Sequence, residues 1–371
     1  MIFQRFFRFV FCFITLSLVF ILCLPLSAAA DEGASIILTF TGDCTLGGED
    51  RLKNKEYAFV SFVNKHGFAY PFGEVKTLFE QDDLTIINLE NVFYDAEDNR
   101  SEKTYTFRSP VRFAKILPEG SVEVAFIGNN HILDYGEPGM RSTVTALENE
   151  GIAWFGNTTV TPAHYIYEKD GIKVGFAGAY LSHWLTYTDE LRQTMQELQD
   201  EGCDVIIGIM HGGVEYSRIR SQKQERMAAW LVKYGADLVI GHHPHLPQGI
   251  DRIGHASVVY SLGNFSFGGN SSLNVSRREG IRADSALLAR VELRFDENKQ
   301  YLGHQLNLIP VSPSGTNEYN NYQPVIQTGE DALKTIMLVQ RDTKFQLAPY
   351  VEGVGALQDF VPYITNPEVL D

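Results

Sequence analysis

The sequence predicts an α/β fold with parallel strand pairings, and three observations carry the prediction. Apolar runs of strand length recur along the chain, rich in Ile and Val as strands buried on both faces are. Amphipathic helical segments separate several of these runs. Short polar motifs follow the ends of the runs, where open α/β sheets place their sites.

The first thirty residues stand apart. Arg5 and Arg8 precede an uncharged apolar run from Phe9 to Ser27, and Ala28-Ala29-Ala30 then precedes Asp31-Glu32. A basic start, an apolar middle and a small-residue cleavage site describe a signal peptide. The run also approaches the ~18 residues of a membrane helix. Residues 1–30 are therefore read as a signal peptide or an N-terminal membrane anchor. The body of the protein is expected to be exported to the cell envelope, membrane-anchored or secreted.

Strands are expected at Ile36 to Phe40, Leu84 to Ile87, Val122 to Ile127, Val174 to Ala179, Val205 to Ile209, Leu238 to Ile240, Val258 to Tyr260 and Leu287 to Leu293. The segment Pro138 to Glu150 reads as a helix, with Pro138 in its first turn and Gly151 as its stop. A second helix is expected over Thr188 to Glu201, with Thr188 as cap, and a third over Gln222 to Tyr234, ending at Gly235. From Val258 onward strands follow one another without helices, which calls for a mixed sheet or a second sheet. Residues 312–327 read as irregular, and Glu330 to Arg341 carries the pattern of one more helix. The chain is divided accordingly into a domain over 31–312 and a C-terminal extension of unclear structure over 313–371.

Composition excludes some functions. The formal charge is −15, and setting Arg5 and Arg8 aside makes the body more acidic still. Such a body does not bind nucleic acid or an anionic surface through its global field. Membrane contact is expected only through the N-terminal segment. Cys44 and Cys203 are the cysteines of the body, too few for a disulfide framework, and are expected as buried free thiols.

The richest motif is Gly241-His242-His243-Pro244-His245, with three of the ten histidines. Strand alternation would point His243 and His245 one way and His242 elsewhere. Two imidazoles on one face suit a metal ion. Thr41-Gly42-Asp43-Cys44 follows the first apolar run, and its Asp43 is a hard oxygen ligand or a helix cap. Asn88-Leu89-Glu90 follows the second, with Glu90 a ligand or a solvated loop residue. Asn129-Asn130-His131, with Asp134-Tyr135-Gly136, can supply a ligand, a proton donor and its orienting carboxylate, or simply a turn and a cap. In His211-Gly212-Gly213-Val214-Glu215-Tyr216, Glu215 buttresses His211 or is exposed. Ser261-Leu262-Gly263-Asn264-Phe265 closes the series. Jointly, Asp, Glu, Asn and three His at strand ends form a mixed oxygen and nitrogen set. That set suits one or two divalent cations of the Mn, Fe or Zn type.

This ordered series resembles the capsule biosynthesis CapA family of poly-γ-glutamate synthesis, itself similar to the calcineurin-like metallophosphatases, over about residues 35 to 310. The resemblance implies a metallophosphatase-like four-layer sandwich, two mixed β-sheets flanked by helices, with metals at the strand ends. It implies Asp43, Glu90, Asn130, His211, His243 and His245 as metal ligands, Glu90 bridging. His131, with Asp134, would meet the leaving group, and Asn129, Glu215, Tyr216 and Asn264 would stand beside them. Two positions depart from the phosphatase pattern. Thr45 stands where a ligand histidine is found, and the bridging carboxylate is Glu rather than Asp, so one metal would have a thinner shell.

The implied function is biosynthesis or export of poly-γ-glutamate, with a divalent-metal hydrolase site acting on a phosphoester or an amide bond. Poly-γ-glutamate or a related anionic polymer and membrane synthase subunits are the expected partners. The competing readings are a non-catalytic polymer-binding or assembly component, and a general exported metallophosphoesterase. An acidic protein would meet an acidic polymer through the metals and through basic clusters: Arg277-Arg278 with Arg282, or Arg218, Arg220 and Lys223.

Overall fold

The computed structural model describes residues 33–156, 164–276 and 281–364. The N-terminal segment and the Arg277-Arg278 pair lie outside them. Two mixed sheets dominate the body. In the larger, the path runs Val325–Ile326, Tyr301–Ser312, Ala286–Phe295, Ser35–Cys44, Leu84–Leu89, Val124–Phe126, Ala153–Phe155. The last four strands pair in parallel, whereas Ser35–Cys44 meets Ala286–Phe295 antiparallel. In the second sheet the order is Ile250–Ile253, Ala256–Val259, Leu238–His242, Val205–His211, Ile172–Tyr180, His164–Lys169. Its four inner strands are parallel and its two edges antiparallel.

Three apolar cores show how the layers stack. Leu38, Phe40, Ile86 and Phe126 of the first sheet pack with Phe176, Ile207 and Ile240 of the second, so the sheets face each other. The alternate residues Ile87, Leu89 and Ile127 meet Met140 and Leu147 of helix Gly136–Asn149 and Phe59 of helix Phe59–His66. On the far side Ala177, Ile206 and Val239 pack against helices Leu181–Thr186, Thr188–Asp200 and Gln222–Lys233 through Trp184, Met195 and Leu231. The four layers run helix, sheet, sheet, helix. Both sheets are covered on both faces, which explains the uniformly apolar strands.

Most elements fall where the sequence places them, and the differences have physical causes. Helix Gln222–Lys233 opens on a capping box: Ser221 Oγ accepts from Gln224 N while Ser221 N donates to Gln224 Oε1 at 2.8 Å. Thr188 does not cap its helix. It is the first helical residue, and its hydroxyl donates to the Trp184 carbonyl at 2.7 Å, tying the helix to the preceding short one. Strand Tyr301–Ser312 was not expected, because polar residues interrupt its apolar pattern and Pro310 breaks the strand signal. Beyond it, helix Gly329–Gln340 forms as expected and sends Ile336 and Val339 into the inter-sheet core. Val325–Ile326, Ala356–Leu357 and Val361–Pro362 each pair antiparallel with Tyr301–Ser312. Two-residue strands are too short to show alternation, so the sequence carried no sign of them. Cys44 is buried and Cys203 half-buried, and both are free thiols. No helix of the described residues is long and apolar enough to cross a membrane.

Candidate metal centre

The polar motifs meet because the parallel strands of both sheets end at one edge of the sandwich. Ser35–Cys44 delivers Asp43, Val205–His211 delivers His211, and Leu238–His242 leads into His243 and His245. The approach is close. A Cβ on Gly42 would lie 2.1 Å from the Gly263 carbonyl oxygen, so this position takes only glycine. Asp43 N donates to Gly263 O at 2.8 Å, and Phe265 N donates to Asp43 O at 2.9 Å, which stitches the Ser261–Phe265 motif to the first strand.

The two histidines converge by a route other than strand alternation. The strand ends at His242. His243 and His245 take positive φ values, 95° and 58°, in the left-handed region that non-glycine residues rarely occupy. That turn aims His245 Nδ1 at Asp43 Oδ2, 3.1 Å away, and His243 Nδ1 at His211 Nε2, also 3.1 Å away. His242 also turns toward the centre, its Nδ1 3.3 Å from Asp43 Oδ1.

Each expected ligand reaches the cluster. Asn130 Oδ1 lies 2.7 Å from His211 Nε2. Glu90 Oε1 lies 3.5 Å from His211 Nε2 and 3.7 Å from His131 Nε2. Two donor groups can each hold a cation: Asp43, Glu90 and His211, and Glu90, His243 and His245. Glu90 belongs to both, as a bridging carboxylate would. Its two carboxylate oxygens are buried and find no hydrogen-bond partner among the described residues. A buried carboxylate without a partner is costly, and a cation is the natural partner for it. The residues present therefore fit one or two divalent ions.

The electrostatics sort these ligands. Burial alone would raise the Asp43 carboxyl, but the His242 and His245 imidazoles against it hold it well below the usual carboxylate range. Burial, reinforced by the Asp43 charge, pushes Glu90 up to about 8. Burial also lowers His243 to about 2 and holds His211 well below the imidazole range. His245 is raised to about 9: burial opposes its charge, but Glu90 and Asp43 overcome it. Ionised Asp43 beside neutral His211 and His243 has lone pairs free for a metal, whereas Glu90 and His245 would each give up a proton to bind one.

Of the surrounding residues, Asp134 and Asn264 orient imidazoles. Asp134 Oδ2 lies 2.6 Å from His131 Nδ1, and Asn264 Oδ1 lies 2.9 Å from His245 Nδ1. Asn129 donates to Asn88 Oδ1 and Leu89 O and accepts from His131 N, locking that turn. Tyr216 places its ring 5.6 Å from that of His245 and accepts from Asn270 Nδ2. Glu215 does not buttress His211. It is exposed at the rim, and Asn88 occupies the His211 Nδ1 side at 3.2 Å. Thr45 is no ligand either: Gly268 N donates to its hydroxyl at 2.6 Å, and the hydroxyl donates to Gly47 O.

Residue reading missed several contributors. Asn88, named in its motif but given no role there, donates to Asp43 Oδ1 at 2.8 Å. The Phe107 ring lies 4.4 Å from that of His131, and Phe107 N donates to Asp134 Oδ2 at 2.7 Å. Nothing in the sequence marks that residue, since its strand pairs far from the histidine motifs. Three arginines of the basic clusters are engaged internally, whereas Lys223 is exposed. Arg220 is held by Glu225 and Asp251 over the Tyr260 ring, Arg218 donates to Arg282 O, and Arg282 pairs with Asp284.

Known proteins are similar to this chain. The chain is 25% identical to the capsule biosynthesis protein CapA of Bacillus anthracis over 258 residues, 64% of this chain and 61% of that protein. It is 28% identical to the PGA biosynthesis protein CapA of Bacillus subtilis (strain 168) over 213 residues, 53% of this chain and 56% of that one. The chain thus spans less than two thirds of the length of these curated relatives. Among solved structures it is similar to the NAD nucleotidase of Haemophilus influenzae, at 10% identity and a TM-score of 0.46, covering 85% of this chain and 57% of that one. The family model for bacterial capsule synthesis protein PGA_cap matches residues 37–269. That span runs from the strand bearing Asp43 past Asn264 and takes in every candidate ligand, and the chain belongs to the PGA_cap family.

Proposed function

We propose that this protein is a metal-dependent hydrolase of the cell envelope, exported and acting in the production or export of poly-γ-glutamate or a related anionic polymer. The single observation that carries the hydrolase reading is Glu90, a fully buried carboxylate whose two oxygens have no hydrogen-bond partner among the described residues, shared by two donor groups. The names of the capsule relatives support the polymer, and an assembly with membrane synthase subunits fits the same names.

Asp43, Glu90, Asn130, His211, His243 and His245 would hold the ions. A divalent ion bound there supplies positive charge to the oxygen of a scissile phosphoester or amide and acidifies a water. The protein's own groups do the rest. Asp134 fixes His131 through Nδ1, which leaves Nε2 on the side facing Glu90. From there His131 hands a proton to the departing group. The Phe107 ring covers His131 and excludes water from that face. Asn264 and Asn88 hold His245 and His211 in their orientations.

The test begins with metal content by mass spectrometry, comparing the wild type with a His243→Ala/His245→Ala double variant. Near-stoichiometric Mn, Fe or Zn in the wild type and little in the variant is the expected result. Incubation of the loaded protein with poly-γ-glutamate and with a chromogenic phosphodiester then identifies the bond. A wild type that takes up none of these ions on reconstitution would overturn the hydrolase reading and leave a polymer-binding role.

A further inference from the structure

One half-exposed lysine touches both functional arms of the centre. Lys103 lies on the connection 94–106, between strands Val92–Phe93 and Phe107–Ser109, and its side chain is 42% exposed. Its Nζ is 2.9 Å from Asp134 Oδ1, and it also donates to the main-chain carbonyl of Asn130. The first contact bears on His131, because the other oxygen of Asp134 holds His131 Nδ1 at 2.6 Å. The second bears on the ligands, because the Asn130 side chain reaches His211 Nε2.

The same connection grips Asp134 at two further points. Ser101 N donates to the Asp134 carbonyl at 2.8 Å, and Phe107 N, at the end of the connection, donates to Asp134 Oδ2. The carboxylate is fully buried, so each of its lone pairs needs a donor. Lys103 is the cationic one. An ammonium with three protons can serve a carboxylate and a carbonyl at once.

We propose that Lys103 is a positioning residue for the reaction: by clamping Asp134 and the Asn130 carbonyl together, it sets the His131 ring and the Asn130 side chain relative to the metal ligands. The role rests on His131 acting as the proton donor. Without the ammonium, Asp134 Oδ1 is a buried acceptor with a lost partner, and the carboxylate turns to find another. His131 turns with it. Because Asp134 is buried, losing Lys103 also costs some folding stability, so the positional role is read from the geometry and from kcat against KM.

The experiment uses the full chain as wild type, Lys103→Met and Lys103→Arg, each loaded with Mn. Bound metal, thermal midpoint, a crystal structure, and kcat and KM on bis(4-nitrophenyl) phosphate are read for all three. In Lys103→Met, metal content stays at the wild-type value and the thermal midpoint falls by several degrees, which Lys103→Arg recovers. The crystal structure shows the His131–Asp134 contact opened and the Asn130 carbonyl displaced. Turnover falls by about tenfold or more with KM within about twofold, and Lys103→Arg restores both geometry and turnover. Unmoved His131 and Asn130 in the Lys103→Met structure overturn the proposal. So does a fall in thermal midpoint and metal content that Lys103→Arg fails to rescue, which marks Lys103 as merely structural. If the wild type does not hydrolyse the probe, the phosphodiester reading fails, while the crystal structures still decide the role of Lys103.

Discussion

Glu90 is the residue on which the centre turns, because it alone is common to both donor groups and its carboxylate oxygens find no hydrogen-bond donor among the described residues. Glu90→Gln keeps the shape and removes the charge. The expected outcome is loss of most bound metal with the fold intact, read by metal analysis beside circular dichroism. His131→Ala has the opposite signature: metal retained and turnover lower by roughly 10²–10⁴, the usual contribution of a positioned acid. Thr45 separates homology from use. Its hydroxyl joins Gly47 and Gly268, so Thr45→Ala should leave metal content unchanged. It should lower stability by about 1–3 kcal/mol, the cost of leaving the buried Gly268 N–H unpaired. Denaturant unfolding of the metal-loaded pair checks this.

At the scale of elements, the two sheets are joined by a buried polar relay as well as by apolar packing. His304 on strand Tyr301–Ser312 meets Tyr301 Oη at 2.9 Å and, across to the second sheet, Ser257 Oγ at 2.8 Å. Burial lowers its imidazole to about 4 from the ordinary 6.5, helped by the nearby His255 and Arg252 charges. The unfolded chain therefore takes up a proton near pH 6.5, whereas the native state waits until about 4. Stability is full above that window and falls as pH drops through it, by on the order of 3 kcal/mol from this residue. His304→Gln should flatten that part of the slope when urea unfolding is followed from pH 7 to pH 4.5. An unchanged slope would show that the ring protonates as readily folded as unfolded. Elements with strong local signals were legible in advance: the helices over 136–149, 188–200 and 222–233 each carry an apolar stripe and a stop. Strand His164–Lys169 was not, because an edge strand with half-exposed residues loses the apolar signature that buried neighbours show.

At the scale of the molecule, residues beyond 312 close the body. Helix Gly329–Gln340 contributes to the inter-sheet core, and three short strands line Tyr301–Ser312. A chain ending at residue 312 would expose Leu306 and Leu308 and leave Tyr301–Ser312 with one free edge. It should aggregate or melt well below the full chain, as measured by solubility and scanning calorimetry. Of the arginines expected to meet an acidic polymer, Arg218, Arg220 and Arg282 are tied into the body by internal contacts.

Local and periodic features were legible along the chain. The α/β class, the strand cores, the main helices and the strand-end motifs with Asp43, Glu90, Asn130, His131, His211, His243 and His245 are all written in spacing along the chain. Tertiary structure decided what depends on the return of distant segments. It brought Asn88 onto Asp43 and His211, laid Phe107 on His131, set Lys103 against Asp134, turned His242 inward and left Glu215 at the rim. The physical reason is that a ligand motif follows the period of one strand, whereas the groups that orient it come from neighbouring strands and loops. Their register is fixed only when both sheets pack.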